Sequence, residues 1–264
     1  MRPLTDLPRD VASRMHTVFS DIDDTLTTHG QLSVEAYAAL AMLKHAGLRV
    51  VLVTGRPAGW CDHIARMWPV DAVIGENGAF YAWYDAAAHK LRTRHVIDEA
   101  TRATNAQRMA AVRDRILREV PGCAIASDQF CRLYDLAIDF REDVAPLADA
   151  DVKRIVAIME EAGMTAKVSS IHVNGWFGSY DKLAMARLLC RERFAFELDD
   201  ERERCVFAGD SPNDAPLFAF LPNSVGVANV RKFALPPAQA PAYVTPSEAG
   251  AGFAELARQL LAAR

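Results

Sequence analysis

The chain has 264 residues, of which 51% are apolar and 24% are charged, and its formal net charge is −4. This length suits one large domain or two modest ones, and the apolar fraction is enough for a sizeable core. The acidic balance offers no basic surface for a nucleic acid, and apolar runs such as "VVLV" are too short for a membrane-spanning helix. We therefore expect neither a nucleic-acid nor a membrane partner.

The N-terminus and the cysteines favour a reducing cytoplasm. The first ten residues, "MRPLTDLPRD", contain no apolar segment of the secretory type. No CxxC pair occurs, so we expect neither a disulfide framework nor a zinc site from the five cysteines, which are Cys61, Cys123, Cys131, Cys190 and Cys205. The sequence carries no signal of an oligomeric state.

The first part of the chain alternates predicted strands and helices. "HTVFSDID", "LRVVLVTG" and "DAVIG" are predicted as buried strands, with "VEAYAALAMLKHA" and "GWCDHIARMW" as the helices between them. Ser33 is placed to cap the first helix, and Gly47 to end it. Such alternation indicates crossover connections and a parallel α/β sheet.

The pattern changes after about residue 79 and returns after about residue 179. "AFYAWY" and "LRTRHVI" resemble a hairpin, and helices are predicted over about 98–119 and 147–162. The runs "CAIAS", "RLYDLAIDF" and "TAKVSSIHVN" are predicted as extended, which indicates an α+β unit on an antiparallel sheet. "DKLAMARLLCRERF", "RCVFAGD" and "APLFAFL" then resume the first pattern. We predict an α/β core, residues 1–83 and 179–264, split by an inserted domain at 84–178.

Four polar stretches lie at or near the ends of predicted core strands, where ligands bind in open α/β sheets: "DIDDT", "TGR", "YDK" and "GDSPND". Clustered carboxylates at a buried strand end repel one another and are costly to desolvate. Mg²⁺ prefers oxygen ligands and would offset that repulsion, with Asp21 and Asp210 as its carboxylates. Lys182 and the Thr54 hydroxyl suit the oxygens of a phosphoryl group, and a carboxylate can also act as the nucleophile.

In this order along the chain, "DIDDTL", "VTGR", a later lysine and "GDSPND" resemble the four motifs of the haloacid dehalogenase (HAD) superfamily. The resemblance covers residues 1–83 and 179–264 and implies a Rossmann-like core with a parallel sheet. An α+β insertion between the threonine and lysine motifs resembles the C2B-type cap of subfamily IIB. "GDSPND" and "IGENGAF" are most similar to the sugar-phosphate branch, with its mannosyl-3-phosphoglycerate and sucrose-phosphate phosphatases and its phosphomannomutase relatives.

The resemblance implies a role for each motif residue. Asp21 is the nucleophile, and Asp23 is the general acid/base that protonates the leaving oxygen and then activates water. Thr54 and Lys182 bind the transferring phosphoryl group, and Asn213 fixes the lysine or the phosphate. The Mg²⁺ ligands are oxygen atoms of Asp21, Asp210 and the Asp23 backbone carbonyl, and Asp214 supports the metal.

Several residues have a structural interpretation beside the functional one. Thr54-Gly55 alone is a turn, and Arg56 is either a substrate contact or part of a surface salt bridge. His172 and Asn174 are either a satisfied polar pair at a strand end or side chains that reach into the cleft. Asp24 stands where many relatives have glycine, and aspartate tolerates unusual backbone angles better than most residues.

These features predict a phosphoric monoester hydrolase that uses Mg²⁺ and an aspartyl-phosphate intermediate. The expected substrate is a small phosphorylated metabolite, in the first place a sugar phosphate. One alternative is a phosphotransferase or mutase in which a sugar hydroxyl replaces water. Another is a catalytically silent binding protein on the same fold. Because the core motifs handle only the phosphoryl group, we expect the inserted domain to select the leaving group.

Overall fold

The computed structural model describes residues 1–169 and 171–264. Its strands are β1 (Arg2–Pro3), β2 (Thr17–Ser20), β3 (Thr27–Thr28), β4 (Gln31–Leu32), β5 (Arg49–Val53), β6 (Ala72–Gly75), β7 (Phe80–Asp85), β8 (Lys90–His95), β9 (Ala124–Ile125), β10 (Asp135–Asp139), β11 (Thr165–Val168), β12 (His172–Trp176), β13 (Cys205–Gly209), β14 (Val225–Gly226) and β15 (Tyr243–Val244). Its α-helices are α1 (Arg9–Arg14), α2 (Val34–His45), α3 (Ala58–Met67), α4 (Glu99–Glu119), α5 (Asp149–Glu161), α6 (Lys182–Leu189), α7 (Leu198–Glu201), α8 (Ala215–Phe220) and α9 (Ala249–Ala262). None of these helices is long and apolar enough to cross a membrane.

The core is a large sheet with strand order β1-β15-β14-β13-β2-β5-β6-β7-β8. The strands from β1 to β6 in this order are parallel, and β7 and β8 are antiparallel additions at one edge. β2 lies at the centre, between β13 and β5. The prediction of a parallel α/β sheet is confirmed.

The central strand is buried on both faces, because helices cover both sides of the sheet. Val18 of β2 belongs to the apolar cluster that includes residues of α2, α3 and α9, such as Leu40 and Phe253. The next residue, Phe19, belongs to the opposite cluster with α6 and α8, which includes Leu189 and Phe218. This arrangement explains why the parallel strands are continuous apolar runs in the sequence.

A second sheet, with order β11-β12-β10-β9, is antiparallel throughout and lies in the inserted segment. We call it the small sheet. Leu136, Ile138 and Val173 form an apolar cluster with residues of α4 and α5. Since side chains alternate along a strand, the residues between them, among them His172 and Asn174, point away from these helices. The prediction of an α+β unit on an antiparallel sheet is confirmed.

Two predicted boundaries differ from the structure. "TAKVSSIHVN", predicted as one extended run, forms two antiparallel strands, β11 and β12, and Ser170 between them lies outside the described residues. The hairpin of β7 and β8, part of which falls in the predicted insertion 84–178, is hydrogen-bonded to β6 at the edge of the large sheet. We therefore propose that the inserted unit begins after His95.

Local signals for the first predicted helix, which is α2 in the structure, are confirmed. The Ser33 hydroxyl accepts a hydrogen bond from the Ala36 N–H at 3.2 Å, which caps α2. Gly47 follows the end of α2 with φ +81°, a left-handed conformation that favours glycine.

Candidate active site

The sheet brings three of the polar motifs together. Asp21 follows β2, Asp210 follows β13 and Thr54 follows β5, and these three strands are parallel neighbours. Their carboxyl ends therefore meet at one edge of the sheet, where ligands bind in this architecture. Lys182, the first residue of α6, approaches the same point, and Asp181 caps that helix through the Ala184 N–H at 2.7 Å.

Three buried carboxylates and one ammonium form the centre of the site. Asp21, Asp210 and Asp214 offer carboxylate oxygens that all lie within 4.8 Å of one another. The Lys182 Nζ lies 3.3 Å from Asp21 Oδ1 and 3.0 Å from Asp214 Oδ1. Lys182 itself is buried, so solvent screens its ion pairs with Asp21 and Asp214 only weakly. The cluster thus contains three carboxyl groups and one ammonium group.

The pKa values reflect this shortage of positive charge. Burial raises the pKa of Asp21 to about 7 although the Lys182 ammonium opposes the rise. Burial and the neighbouring Asp214 raise the pKa of Asp210 to about 9. Burial alone would lower the pKa of Lys182, but Asp21 and Asp214 outweigh it and raise that pKa. A compact set of buried oxygen donors that needs more positive charge fits a hard divalent cation.

The Asp214 carboxylate joins the lysine to the loop after β13. Its Oδ1 accepts a hydrogen bond from the Lys182 Nζ at 3.0 Å, and its Oδ2 accepts from the backbone N–H groups of Asp210 and Ser211 at 3.0 and 3.3 Å. Both oxygens of Asp214 are therefore engaged within the protein. This suits the supporting role, rather than a direct ligand role, that the resemblance implies for Asp214.

Asp23 is held by Arg56 in a bidentate ion pair. The Arg56 Nε donates to both carboxylate oxygens at 3.0 and 3.1 Å, and Nη2 donates to Oδ1 at 2.8 Å. The guanidinium also stacks on the Trp60 ring at 4.5 Å and lies 3.8 Å from Asp128 of the inserted segment. Arg56 thus makes a salt bridge, but its partner Asp23 belongs to a motif. Arg56 also lines the wall of the cavity described below.

The side chain of Thr54, the first residue after β5, is turned into the protein. Thr54 is fully buried, and its hydroxyl oxygen accepts a hydrogen bond from the Arg56 N–H at 3.0 Å. Gly55 lines the cavity, whereas Thr54 is not among the lining residues. The role of Thr54 in binding a phosphoryl group stays a prediction. In the loop after β2, Asp24 has φ +54°, so the residue that replaces glycine does adopt a left-handed conformation.

A cavity of about 780 Å³ lies between this edge of the large sheet and the small sheet. Both units contribute charged and polar groups to its wall. The predicted site residues that line it are Asp21, Asp23, Gly55, Arg56, His172, Asn174, Lys182, Asp210 and Asn213. The buried Asp214 does not reach the wall, although it contacts Lys182.

His172 and Asn174 face the cavity because they occupy the side of β12 opposite the apolar cluster. The Asn174 Nδ2 donates to Asp135 Oδ2 at 3.0 Å, and the His172 Nε2 lies 2.8 Å from Glu142 Oε2. Burial lowers the pKa of His172, and Glu142 opposes that change. Both residues line the cavity, and Asn174 is hydrogen-bonded, whereas His172 Nε2 has no hydrogen bond of suitable geometry among the described residues in spite of its short distance to Glu142. The interpretation as a satisfied polar pair therefore does not hold for His172.

Sequence reasoning missed two residues that join the core to the small sheet. The Glu76 carboxylate, which follows β6, accepts hydrogen bonds from the N–H groups of Ala58, Leu133, Tyr134 and Asp135 at 2.6–3.1 Å. Burial and the nearby Asp135 raise the pKa of Glu76 to about 8, against the effect of these donors. The sequence did offer one signal for Glu76, because it is a polar residue that directly follows a predicted parallel strand.

Arg132 is the second missed residue. Its buried guanidinium pairs with Asp135 at 3.0 Å and Asp128 at 3.0 Å, and Nη1 also donates to the Gly55 carbonyl at 3.1 Å. Asp135 in turn accepts from Asn174, so a continuous set of hydrogen bonds runs from the loop after β5 to the cavity face of the small sheet. No local sequence pattern marks Arg132.

Comparison with known proteins agrees with these features. The sequence profile of the haloacid dehalogenase-like hydrolases matches residues 18–107. A phosphoglycolate phosphatase of Pyrobaculum neutrophilum is 30% identical over 240 residues, which cover 89% of this chain and 91% of that protein.

Solved structures agree on the fold. A protein of Thermoplasma acidophilum has a TM-score of 0.71 at 18% identity, over 94% of this chain and 98% of that one. The sucrose-phosphatase of Synechocystis, solved with sucrose and phosphate, has a TM-score of 0.63 at 16% identity, over 94% and 98% of the two chains. With this fold, these motifs and a relative that is similar over nearly its whole length, the chain belongs to the haloacid dehalogenase-like hydrolases, among which it is a phosphoric monoester hydrolase.

Proposed function

We propose that this enzyme is a Mg²⁺-dependent phosphatase that hydrolyses a small phosphorylated metabolite through an aspartyl-phosphate. One observation carries the proposal: three buried carboxylates and a buried lysine lie together, and Asp21, Asp210 and Lys182 of this cluster line a cavity large enough for a small organic phosphate. Buried carboxyl groups that outnumber their positive partners are costly, so a cluster with only a structural role would not be expected to contain them beside an open cavity.

The chain's own residues can perform the reaction in two steps. A carboxylate oxygen of Asp21 attacks phosphorus, and the bond to the leaving oxygen breaks while Asp23 donates a proton to that oxygen. Asp23 then takes a proton from water, whose oxygen attacks phosphorus. The bond between phosphorus and Asp21 breaks, and inorganic phosphate is released. We propose that the Lys182 ammonium, 3.3 Å from Asp21 Oδ1, binds the phosphoryl oxygens throughout, together with Asn213. The part of the Thr54 hydroxyl in this binding stays a prediction.

Mg²⁺ would be held by carboxylate oxygens of Asp21 and Asp210 and by the backbone carbonyl of Asp23, with Asp214 in support. When bound, it supplies positive charge that neutralises the phosphoryl oxygens and the clustered acids. The chemistry of the donor set, which consists of buried oxygen atoms alone, supports this choice of metal.

For the substrate, we propose a sugar phosphate first. The small sheet lines the cavity with polar groups that suit hydroxyls, among them Asn174 and His172. Phosphoglycolate is the second candidate, because it is the substrate named for a relative similar over nearly the whole chain. Lys167 and Arg141, which also line the cavity, would suit its carboxylate.

The central experiment compares Asp21→Asn with Asp24→Asn, a change to a neighbouring carboxylate outside the proposed machinery. Phosphate release from p-nitrophenyl phosphate and from a panel of sugar phosphates and phosphoglycolate is measured with Mg²⁺ and without any acceptor sugar. Asp21→Asn should abolish turnover, because an amide does not attack phosphorus, whereas Asp24→Asn should retain most of it. Substantial release by pure Asp21→Asn would exclude Asp21 as the nucleophile.

The same panel separates the alternatives. A phosphotransferase or mutase would transfer the phosphoryl group to the hydroxyl of an acceptor sugar, so it would form a new phosphate ester and would release no inorganic phosphate without an acceptor. A silent binding protein would give no turnover on any ester. Release in the absence of an acceptor is the result that the proposed hydrolysis requires.

A further inference from the structure

The carboxylate of Asp210 is oriented by two side chains outside the motif that contains it. The Thr25 hydroxyl donates to Asp210 Oδ1 at 3.1 Å, and the Asn229 Nδ2 donates to Oδ2 at 3.3 Å. Each carboxylate oxygen therefore receives one donor from a different loop. An ionised carboxylate oxygen has two acceptor positions, so one position on each oxygen of Asp210 remains for another partner.

Asn229 is itself held in one orientation. The residue is 7% exposed, and its Nδ2 donates to the Asp24 carbonyl at 2.9 Å as well as to Asp210. Its Oδ1 accepts from the Ala249 N–H at 3.1 Å. A rotated amide would place the carbonyl oxygen against two acceptors and the amide nitrogen against a donor, so these contacts allow one orientation only.

The position of Asn229 in the fold makes it a link between three segments. It follows β14 and contacts the loop after β2, the loop after β13 and the first residue of α9. Ala249 has φ +50°, an unusual conformation for alanine, and its N–H is satisfied by Asn229. The link therefore fixes Asp210 relative to Asp24, and hence relative to the loop that contains Asp21 and Asp23.

We propose that Asn229, with Thr25, is a positioning residue that orients Asp210 as a metal ligand. This inference rests on the proposed function, which places Mg²⁺ at Asp210. Partners of this kind that hydrogen-bond a ligating carboxylate typically change metal affinity by about 10–100-fold when they are removed. Asn229 does not need to contact the substrate or the metal to have this effect.

The test measures the Mg²⁺ dissociation constant of the full-length protein by isothermal titration calorimetry, separately from activity. Asn229→Ala and Thr25→Val should each raise this constant by about 10-fold or more, whereas Thr25→Ser keeps the hydroxyl and should restore the wild-type value. Asn223→Ala is the matched control. Asn223 is also a buried asparagine with one backbone acceptor, the Glu203 carbonyl at 2.9 Å, and its loss should leave the constant within about twofold of wild type.

A purely structural role gives a different result. It would lower the thermal stability of Asn229→Ala and leave the Mg²⁺ constant of the folded protein unchanged. Wild-type constants in folded Asn229→Ala and Thr25→Val would overturn the inference. If Asn229→Ala does not fold, the comparison of Thr25→Val with Thr25→Ser decides. Steady-state kinetics should agree, with kcat recovering towards the wild-type value at saturating Mg²⁺.

A further variant separates this inference from the proposed function. Asp210→Ala should weaken Mg²⁺ binding most, since a direct ligand is lost. An Asp210→Ala protein that binds Mg²⁺ as tightly as wild type would refute the proposed metal site itself. Weak binding by Asp210→Ala together with normal binding by Asn229→Ala and Thr25→Val would refute only the positioning role.

Discussion

Replacement of Glu76 by alanine should weaken the connection between the core and the small sheet. The carboxylate is the shared acceptor of four backbone N–H groups, three of them on the consecutive residues 133–135. Alanine removes the acceptor and leaves these donors in a largely buried region. The segment 133–135 is adjacent to Arg132 and includes Asp135. Displacement of this segment would therefore also weaken the hydrogen bonds from Arg132 to Gly55 and from Asn174 to Asp135.

The magnitude follows from two opposing effects. A buried donor left without a partner costs about 1–3 kcal/mol, so four donors would cost about 4–12 kcal/mol if the effects were additive. Removal of Glu76 also relieves the cost of its burial, which is visible in the rise of its pKa from 4.5 to about 8. We expect a net loss of about 3–5 kcal/mol in the free energy of unfolding, which lies in the lower part of the range for four unpaired donors. This corresponds to a fall of roughly 6–20 °C in Tm for a chain of this size.

Urea denaturation followed by far-UV circular dichroism measures this loss. Glu76→Gln keeps one carbonyl oxygen and should fall between wild type and Glu76→Ala. Glu35→Ala removes an exposed ion pair with Arg258 (2.9 Å) and should change stability by less than about 0.5 kcal/mol. A loss below about 1 kcal/mol for Glu76→Ala would refute the argument that Glu76, through its contacts with the three N–H groups of residues 133–135, holds the two units together.

The pH dependence of the same variant has a definite sign. The folded-state pKa of Glu76, about 8, lies above its ordinary value of 4.5, so between these pH values the folded state holds a proton that the unfolded state has released. Stability of the wild type relative to Glu76→Gln should therefore fall as pH rises through this window, by at most about 1.4 kcal/mol per pH unit, and level off above it. A relative stability that rises with pH would contradict this assignment.

Three further changes test the site. Arg56→Ala removes the side chain that holds Asp23 in position, and the alkyl leaving group is poorer than p-nitrophenolate and depends more on the proton from Asp23. The variant should therefore lower kcat more for an alkyl phosphate than for p-nitrophenyl phosphate; equal losses in the two assays would argue against Asp23 as the proton donor. EDTA should stop phosphate release and Mg²⁺ should restore it, with Ca²⁺ a poor substitute; activity that persists in EDTA would exclude the metal. His172→Ala and Asn174→Ala should change the ranking of sugar phosphates more than the rate on p-nitrophenyl phosphate, and an unchanged ranking would show that the small sheet does not select the substrate.

Much of the core could be predicted because its signals are local. Apolar runs that end in polar residues mark buried parallel strands, and neighbouring strands bring their carboxyl ends together. This logic is enough to place Asp21 beside Asp210, 189 positions apart, without any structure. The same holds for the small sheet, because extended runs separated by single helices predict an α+β unit on an antiparallel sheet.

The residues that were missed depend on contacts that no local pattern specifies. Asn229 bonds to Asp24 across 205 positions, and the Glu76 carboxylate to the Asp135 N–H across 59. The β7–β8 hairpin has an ordinary hairpin sequence, and only its hydrogen bonds to β6 assign it to the large sheet. Contacts with residues distant in the sequence decide to which sheet a strand belongs, even when the local sequence already predicts the strand.

Side chains alternate between the two faces of β12, so the two faces have different surroundings. Val173 packs into the apolar cluster with α4 and α5, whereas His172 and Asn174 on either side of it face the cavity. If the small sheet selects the substrate, as proposed above, exchange of a cavity-facing residue would change substrate preference while that cluster stays intact. Single substitutions on one face of the small sheet would then exchange one phosphate ester for another, while the reaction centre on the large sheet stays the same. Recognition of the leaving group and the chemical step would in this way belong to separate sheets of the protein.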